Sequence, residues 1–74
     1  MRVLDMKKSA YNLENLMDKH DMSVKDLHGY LGCSTKAIYK WLNAECMPSL
    51  DSLVSITEYL HCTIDEIIAY KDVA

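Results

Sequence analysis

Three cysteines (Cys33, Cys46, Cys62) and three histidines (His20, His28, His61) are the obvious candidates for metal or nucleophile chemistry in this chain. A zinc site draws thiolates and imidazoles from short, regularly spaced runs. His20, Cys46 and the adjacent His61-Cys62 offer no such run. A cysteine–histidine nucleophile pair needs a pocket around it, for which a helical chain of 74 residues has little room. No glycine-rich phosphate loop is present and no carboxylate pair frames a cleft. The chain therefore reads as no enzyme, with no metal and no cofactor. An odd cysteine count without a CxxC spacing points to free thiols in a reducing compartment.

A second group of residues suits different chemistry. Lys36, Tyr39, Lys40 and Asn43 follow the i, i+3, i+4, i+7 spacing of one helix face, with Thr35 beside them. The chain is acidic, with 11 Asp and Glu against 8 Lys and Arg. Yet no carboxylate occurs from Leu27 to Ala44. Residues 19–43 carry net charge +2, residues 1–18 net zero and residues 44–74 net −5. The middle of the chain can meet an anion that the C-terminal third repels.

The elements that must carry this face are helical. Half the residues are apolar and only two glycines and one proline interrupt them, which is the composition of a compact all-α domain. Leu13, Leu16, Met17 and His20 mark a first helix over about Ser9 to His20. Ser23 caps a second helix, with Asp26 close to a capping box and Val24, Leu27 and Leu31 as its apolar stripe. Gly32 ends it and Ser34 caps a third. On that helix Ala37, Ile38 and Trp41 face inward, opposite Lys36 and Lys40. Pro48 and Ser49 open a fourth helix with Leu50, Leu53, Ile56, Thr57 and Leu60 inward. Thr63 and Glu66 box a fifth that carries Ile64, Ile67 and Ile68. Cys46 lies in the loop before Pro48. The domain is expected over residues 9–70, with a flexible arm at 1–8 and a frayed end at 71–74. No run approaches the roughly 18 apolar residues of a membrane span and no signal-peptide core opens the chain, so a cytoplasmic protein is expected.

Gly32, Cys33 and Ser34 alone separate the second and third helices. That is the turn length of a helix-turn-helix, which projects its second helix outward. A helix fits the major groove of DNA. Donor-rich side chains without carboxylates are what its outer face needs, and the stretch around Lys36 and Lys40 has them.

From about Asn12 to Ile68 the chain resembles the lambda-repressor-like, XRE or Cro-type, helix-turn-helix domain. The segments that carry the resemblance are MSVKDLHGYLGCSTKAIYKWL, MPSLDSLVSI and LHCTIDEII. It implies a compact five-helix lambda-repressor-like bundle with the helix-turn-helix at the second and third helices. It implies DNA-facing roles for Ser34, Thr35, Lys36, Tyr39, Lys40 and Asn43, and phosphate contacts from Ser23 to Lys25 and from the loop after the third helix. It also implies a transcriptional regulator, most often a repressor, that binds palindromic double-stranded DNA as a homodimer. Tyr59, His61, Ile67 and Tyr70 are the candidate pairing surface. The alternative is a protein-interaction module, such as an antitoxin or adaptor, whose main partner is another protein. Three positions depart from the family pattern. Val24 stands where Gln is common, His28 where Ala is preferred, and Ala44 where Gly usually follows the recognition helix, which leaves Asn43 to supply that turn.

Overall fold

The computed structural model describes residues 1–73. Its elements run β1 (Arg2–Leu4), α1 (Met6–Lys19), α2 (Val24–Leu31), α3 (Thr35–Leu42), α4 (Leu50–Leu60), α5 (Ile64–Ile67) and β2 (Tyr70–Asp72). The expected bundle of helices is present, with a two-stranded antiparallel sheet added to it.

Helices α1 to α4 each start where a side chain accepts from a free N–H group of the first turn. Asp5 accepts from Lys8 N at 3.0 Å and so begins α1 at Met6, three residues before the expected start. Ser34 accepts from Ala37 N at 3.1 Å and Ser49 from Ser52 N at 3.2 Å. A reciprocal capping box joins Ser23 with Asp26, and at α5 the Thr63 N–H donates to Glu66 Oε2 at 3.1 Å.

The core is built from the inward stripes of all five helices. Leu13, Met17, Leu27, Ile38, Trp41, Leu53, Ile56, Leu60 and Ile67 form one buried cluster. Trp41 is 6% exposed. Burial of a side chain that size contributes several kcal/mol, so truncation to Ala costs about 3–5 kcal/mol. Leu50 is not part of this cluster. It is 70% exposed, because the first helical position of α4 lies beyond the reach of its neighbours. Ile67 is fully buried and is therefore no part of a pairing surface.

The chain ends differ most from expectation. In place of a flexible arm at 1–8 and fraying at 71–74, β1 pairs with β2 in the register Arg2–Asp72, Val3–Lys71 and Leu4–Tyr70. Ala74 lies outside the described residues. The ribbon is fixed to the bundle through α1. Ser9, 1% exposed, accepts from Ala69 N at 2.9 Å. Asn12 Nδ2 donates to Ile67 O at 3.1 Å, and Asp5 N donates to Ala69 O at 2.9 Å. These bonds satisfy backbone groups that a short strand after a one-turn helix otherwise leaves unpaired.

Candidate nucleic-acid interface

The two helices of the helix-turn-helix are set by their local chemistry. Gly32 adopts a left-handed φ of 76°, a conformation that costs a side-chain-bearing residue about 1–2 kcal/mol. Its N–H donates to His28 O at 2.8 Å. Ser34 then opens α3 in extended conformation. His28, exposed rather than pressed into the core, donates from Nδ1 to the Cys33 carbonyl. Only a ring nitrogen that carries a hydrogen can meet a carbonyl in this way. The imidazole thus ties the last turn of α2 to the connection before α3, a bond that an alanine at this position cannot make. The signal for it was the presence of a donor side chain four residues before the turn glycine.

At the other end of α2, Ser23 and Asp26 exchange bonds. Ser23 N donates to Asp26 Oδ2 at 2.9 Å, and Asp26 N donates to Ser23 Oγ at 3.1 Å. The backbone and hydroxyl donors of Ser23 hold the Asp26 carboxyl below its ordinary value. Its negative charge is therefore committed to the helix terminus. Ser23 and Lys25 are both exposed beside it.

α3 has two faces. Ile38 and Trp41 are buried, and Ala37 and Leu42 are half-buried. Thr35, Lys36, Tyr39, Lys40 and Asn43 are all exposed, as is the capping Ser34. Tyr39 is 55% exposed, large for an aromatic side chain without an intramolecular role. Among the described residues, neither Lys36 nor Lys40 forms an ion pair. The structure thus brings Ser34, Thr35, Lys36, Tyr39, Lys40 and Asn43 onto one outward surface.

The turn after α3 is made differently from the expectation. Ala44 itself takes the left-handed conformation, at φ 61°, while Asn43 stays at φ −90°. Ala44 N donates to Trp41 O at 3.2 Å and Glu45 N to Lys40 O at 2.9 Å, the bond pair of a Schellman motif. Backbone bonds, rather than an Asn side chain, hold the residue in place.

The four residues assigned to pairing do not form one free surface. Ile67 is core, and Tyr59 is half-buried against Tyr30. His61 and Tyr70 are exposed, and Tyr70 lies under the Arg2 guanidinium.

Among the described residues, no helix is long and apolar enough to cross a membrane. No curated protein matches the chain. Among solved structures it is similar to a transcriptional regulator from Listeria innocua, with a TM-score of 0.76 and 24% identity. That match covers 89% of this chain but 62% of the other, so this chain spans about three fifths of its neighbour's length. The likeness establishes the fold. The model of the Cro/C1-type helix-turn-helix DNA-binding domain matches residues 12–72, which takes in every helix-turn-helix residue described above. The chain belongs to the Cro/C1-type helix-turn-helix DNA-binding domain family.

Proposed function

We propose that this protein is a sequence-specific transcription regulator, a repressor, that reads the major groove of DNA with α3. The observation that carries the reading is the composition of the outer face of α3. Thr35, Lys36, Tyr39, Lys40 and Asn43 are exposed together there. No carboxylate occurs between Leu27 and Ala44, so nothing on the helix opposes phosphate. Lys36, near the helix start, is placed for a base edge; Lys40, one turn on, for a phosphate or guanine. Ser23, Lys25 and Ser34 add phosphate contacts beside it. The protein acts by binding and has no catalytic role.

One such helix covers too few base pairs for genomic specificity. The protein acts as a homodimer on a palindrome, with half-sites about 34 Å apart. Of the residues expected at the pairing surface, His61 is exposed.

Selection of bound duplexes from a random pool tests the reading, followed by titration of the best one. Replacing Lys36 and Lys40 together by Ala should cost about 1–3 kcal/mol for each lost base contact and relax the selected sequence. A double variant that binds its best duplex as tightly as the parent refutes groove reading by α3.

A further inference from the structure

The strand pairing at the chain ends carries two lysines to the end of α3. Lys7, at the start of α1, and Lys71, in β2, are separated by most of the sequence. They line one cleft of about 440 Å³ together with Leu4, Asp5, Met6, Asn43 and Ala44. Asn43 and Ala44 are the residues that follow directly on α3. The cleft therefore continues the Lys36–Lys40 surface beyond the helix.

The other charged groups of the paired ends, Arg2, Asp5, Lys8 and Asp72, are already engaged. Arg2 lies 3.9 Å from Asp72 and 4.5 Å over the Tyr70 ring. Lys8 sits 5.5 Å over the Tyr11 ring. Asp5 accepts the Lys8 N–H as the cap of α1. Lys7 and Lys71 have no such partner among the described residues. Both are exposed. Residues 1–8 and 70–72 together carry net charge +2 in a chain of net −3, so the rest of the chain carries −5. The folded ends are thus a positive island joined to the one acid-free helix. Attraction to phosphate is strong there and weak on the remaining surface.

We propose that this cleft binds DNA backbone phosphate through Lys7 and Lys71, outside the base pairs that α3 reads. The assignment rests on the reading of α3 as the groove-facing helix. The strand ribbon then has a function beyond closing the fold, since it lengthens the duplex footprint along the backbone without adding base specificity.

The experiment uses the full chain with Lys7→Gln, Lys71→Gln and the double variant, and with Lys7→Arg, Lys71→Arg as the charge-preserving control. Thermal melting establishes that each variant is folded. Binding is measured across a salt series on the selected site, and on duplexes trimmed stepwise from their flanks. The double Gln variant should reduce the slope of log affinity against log salt by about two, since each phosphate contact contributes close to one. Its affinity should fall alike for selected and unrelated sequences. It should also tolerate flank trimming that weakens the parent, while the Arg variant keeps the parent's slope. A folded double Gln variant with the parent's slope and the parent's sensitivity to trimming overturns the proposal. If Lys36→Ala, Lys40→Ala loses binding in the same assay, the reading of α3 survives that failure. A parent that binds no duplex overturns both.

Discussion

Tyr30 stacks on Tyr59, with ring centroids 4.1 Å apart and planes inclined by 22°. One ring belongs to α2 and the other to α4, so the pair straps the first helix of the helix-turn-helix to the bundle behind it. Tyr30 keeps 44% of its surface exposed, which makes the stack a surface clasp and not a core contact. Aromatic pairs contribute about 0.5–1.5 kcal/mol beyond the area they bury. A double-mutant cycle with Tyr30→Ala and Tyr59→Ala should return a coupling in that range by denaturant unfolding. A coupling near zero would show that the rings merely lie side by side.

The buried hydroxyl of Ser9 is a second checkable contact. It is the acceptor of the Ala69 N–H. Ser9→Ala leaves that donor without a partner in a partly buried setting, at a cost of about 1–3 kcal/mol. Denaturant unfolding gives the loss, and hydrogen exchange at Ala69 should accelerate more than exchange in α3.

Ala44 offers a change in the stabilising direction. Glycine at φ 61° avoids the Cβ strain of the left-handed region, about 1–2 kcal/mol. Against this stands the greater freedom of glycine in the unfolded chain, about 0.4–1 kcal/mol. Ala44→Gly should therefore raise stability by about 0.5–1 kcal/mol, and Ala44→Val should lower it. A melting temperature that falls with glycine would mean that the turn is held by something other than its backbone bonds.

The cap of α2 makes stability depend on pH at the acid end. The Asp26 carboxyl is held below its ordinary value of 3.8 by the N–H of Ser23 and then by its hydroxyl. A depressed carboxyl contributes stability that is complete above the unfolded value and is lost as pH falls through the folded one. Asp26→Asn should thus destabilise at neutral pH, and the gap between variant and parent should close as the pH drops below about 4. A gap that stays constant from pH 7 to pH 2 would rule out this source.

The thiols should separate by rate. Cys46 is exposed, whereas Cys33 and Cys62 are half-buried. Burial, and then the nearby Glu66 charge, raise the Cys62 thiol above its ordinary value. At neutral pH a thiol reagent should label Cys46 first and Cys62 slowly, because the thiolate is the reacting form. Mass spectrometry of partly labelled protein checks the order.

The helix starts were legible because their determinants are local. Ser23, Ser34, Ser49 and Thr63 each stand beside the N–H groups they serve or flank. The inward faces of α2 and α3 followed from spacing for the same reason. The ribbon was not legible. RVL and YKD are three residues each, too short for alternation to register, and each strand's partner lies at the other end of the chain. Asp5 was missed with it, since a lone Asp before Met6 carries no box. Leu50 shares the spacing of Leu53 and Ile56, but spacing cannot say where a neighbouring helix stops. Ile67, expected at the pairing surface, lies in the core. Its place under α1, where Asn12 holds its carbonyl, depends on contacts between distant segments. The exposed face of α3 was readable from charge and period alone. The cleft beside it was not, because Lys7 and Lys71 meet only once the ends have paired.

That pairing also sets how the molecule responds to tension. Met1 and Val73 exchange backbone bonds at the open end of the ribbon, with Val73 N donating to Met1 O at 2.8 Å. Because the strands are antiparallel, both chain ends leave from the same side. A pull applied between them loads one bonded pair at a time, so the strands peel like a zipper and are not sheared together. The ribbon should therefore yield at low force and with a short extension, ahead of the bundle. The helices, joined by buried side chains, should then give way together in a separate event.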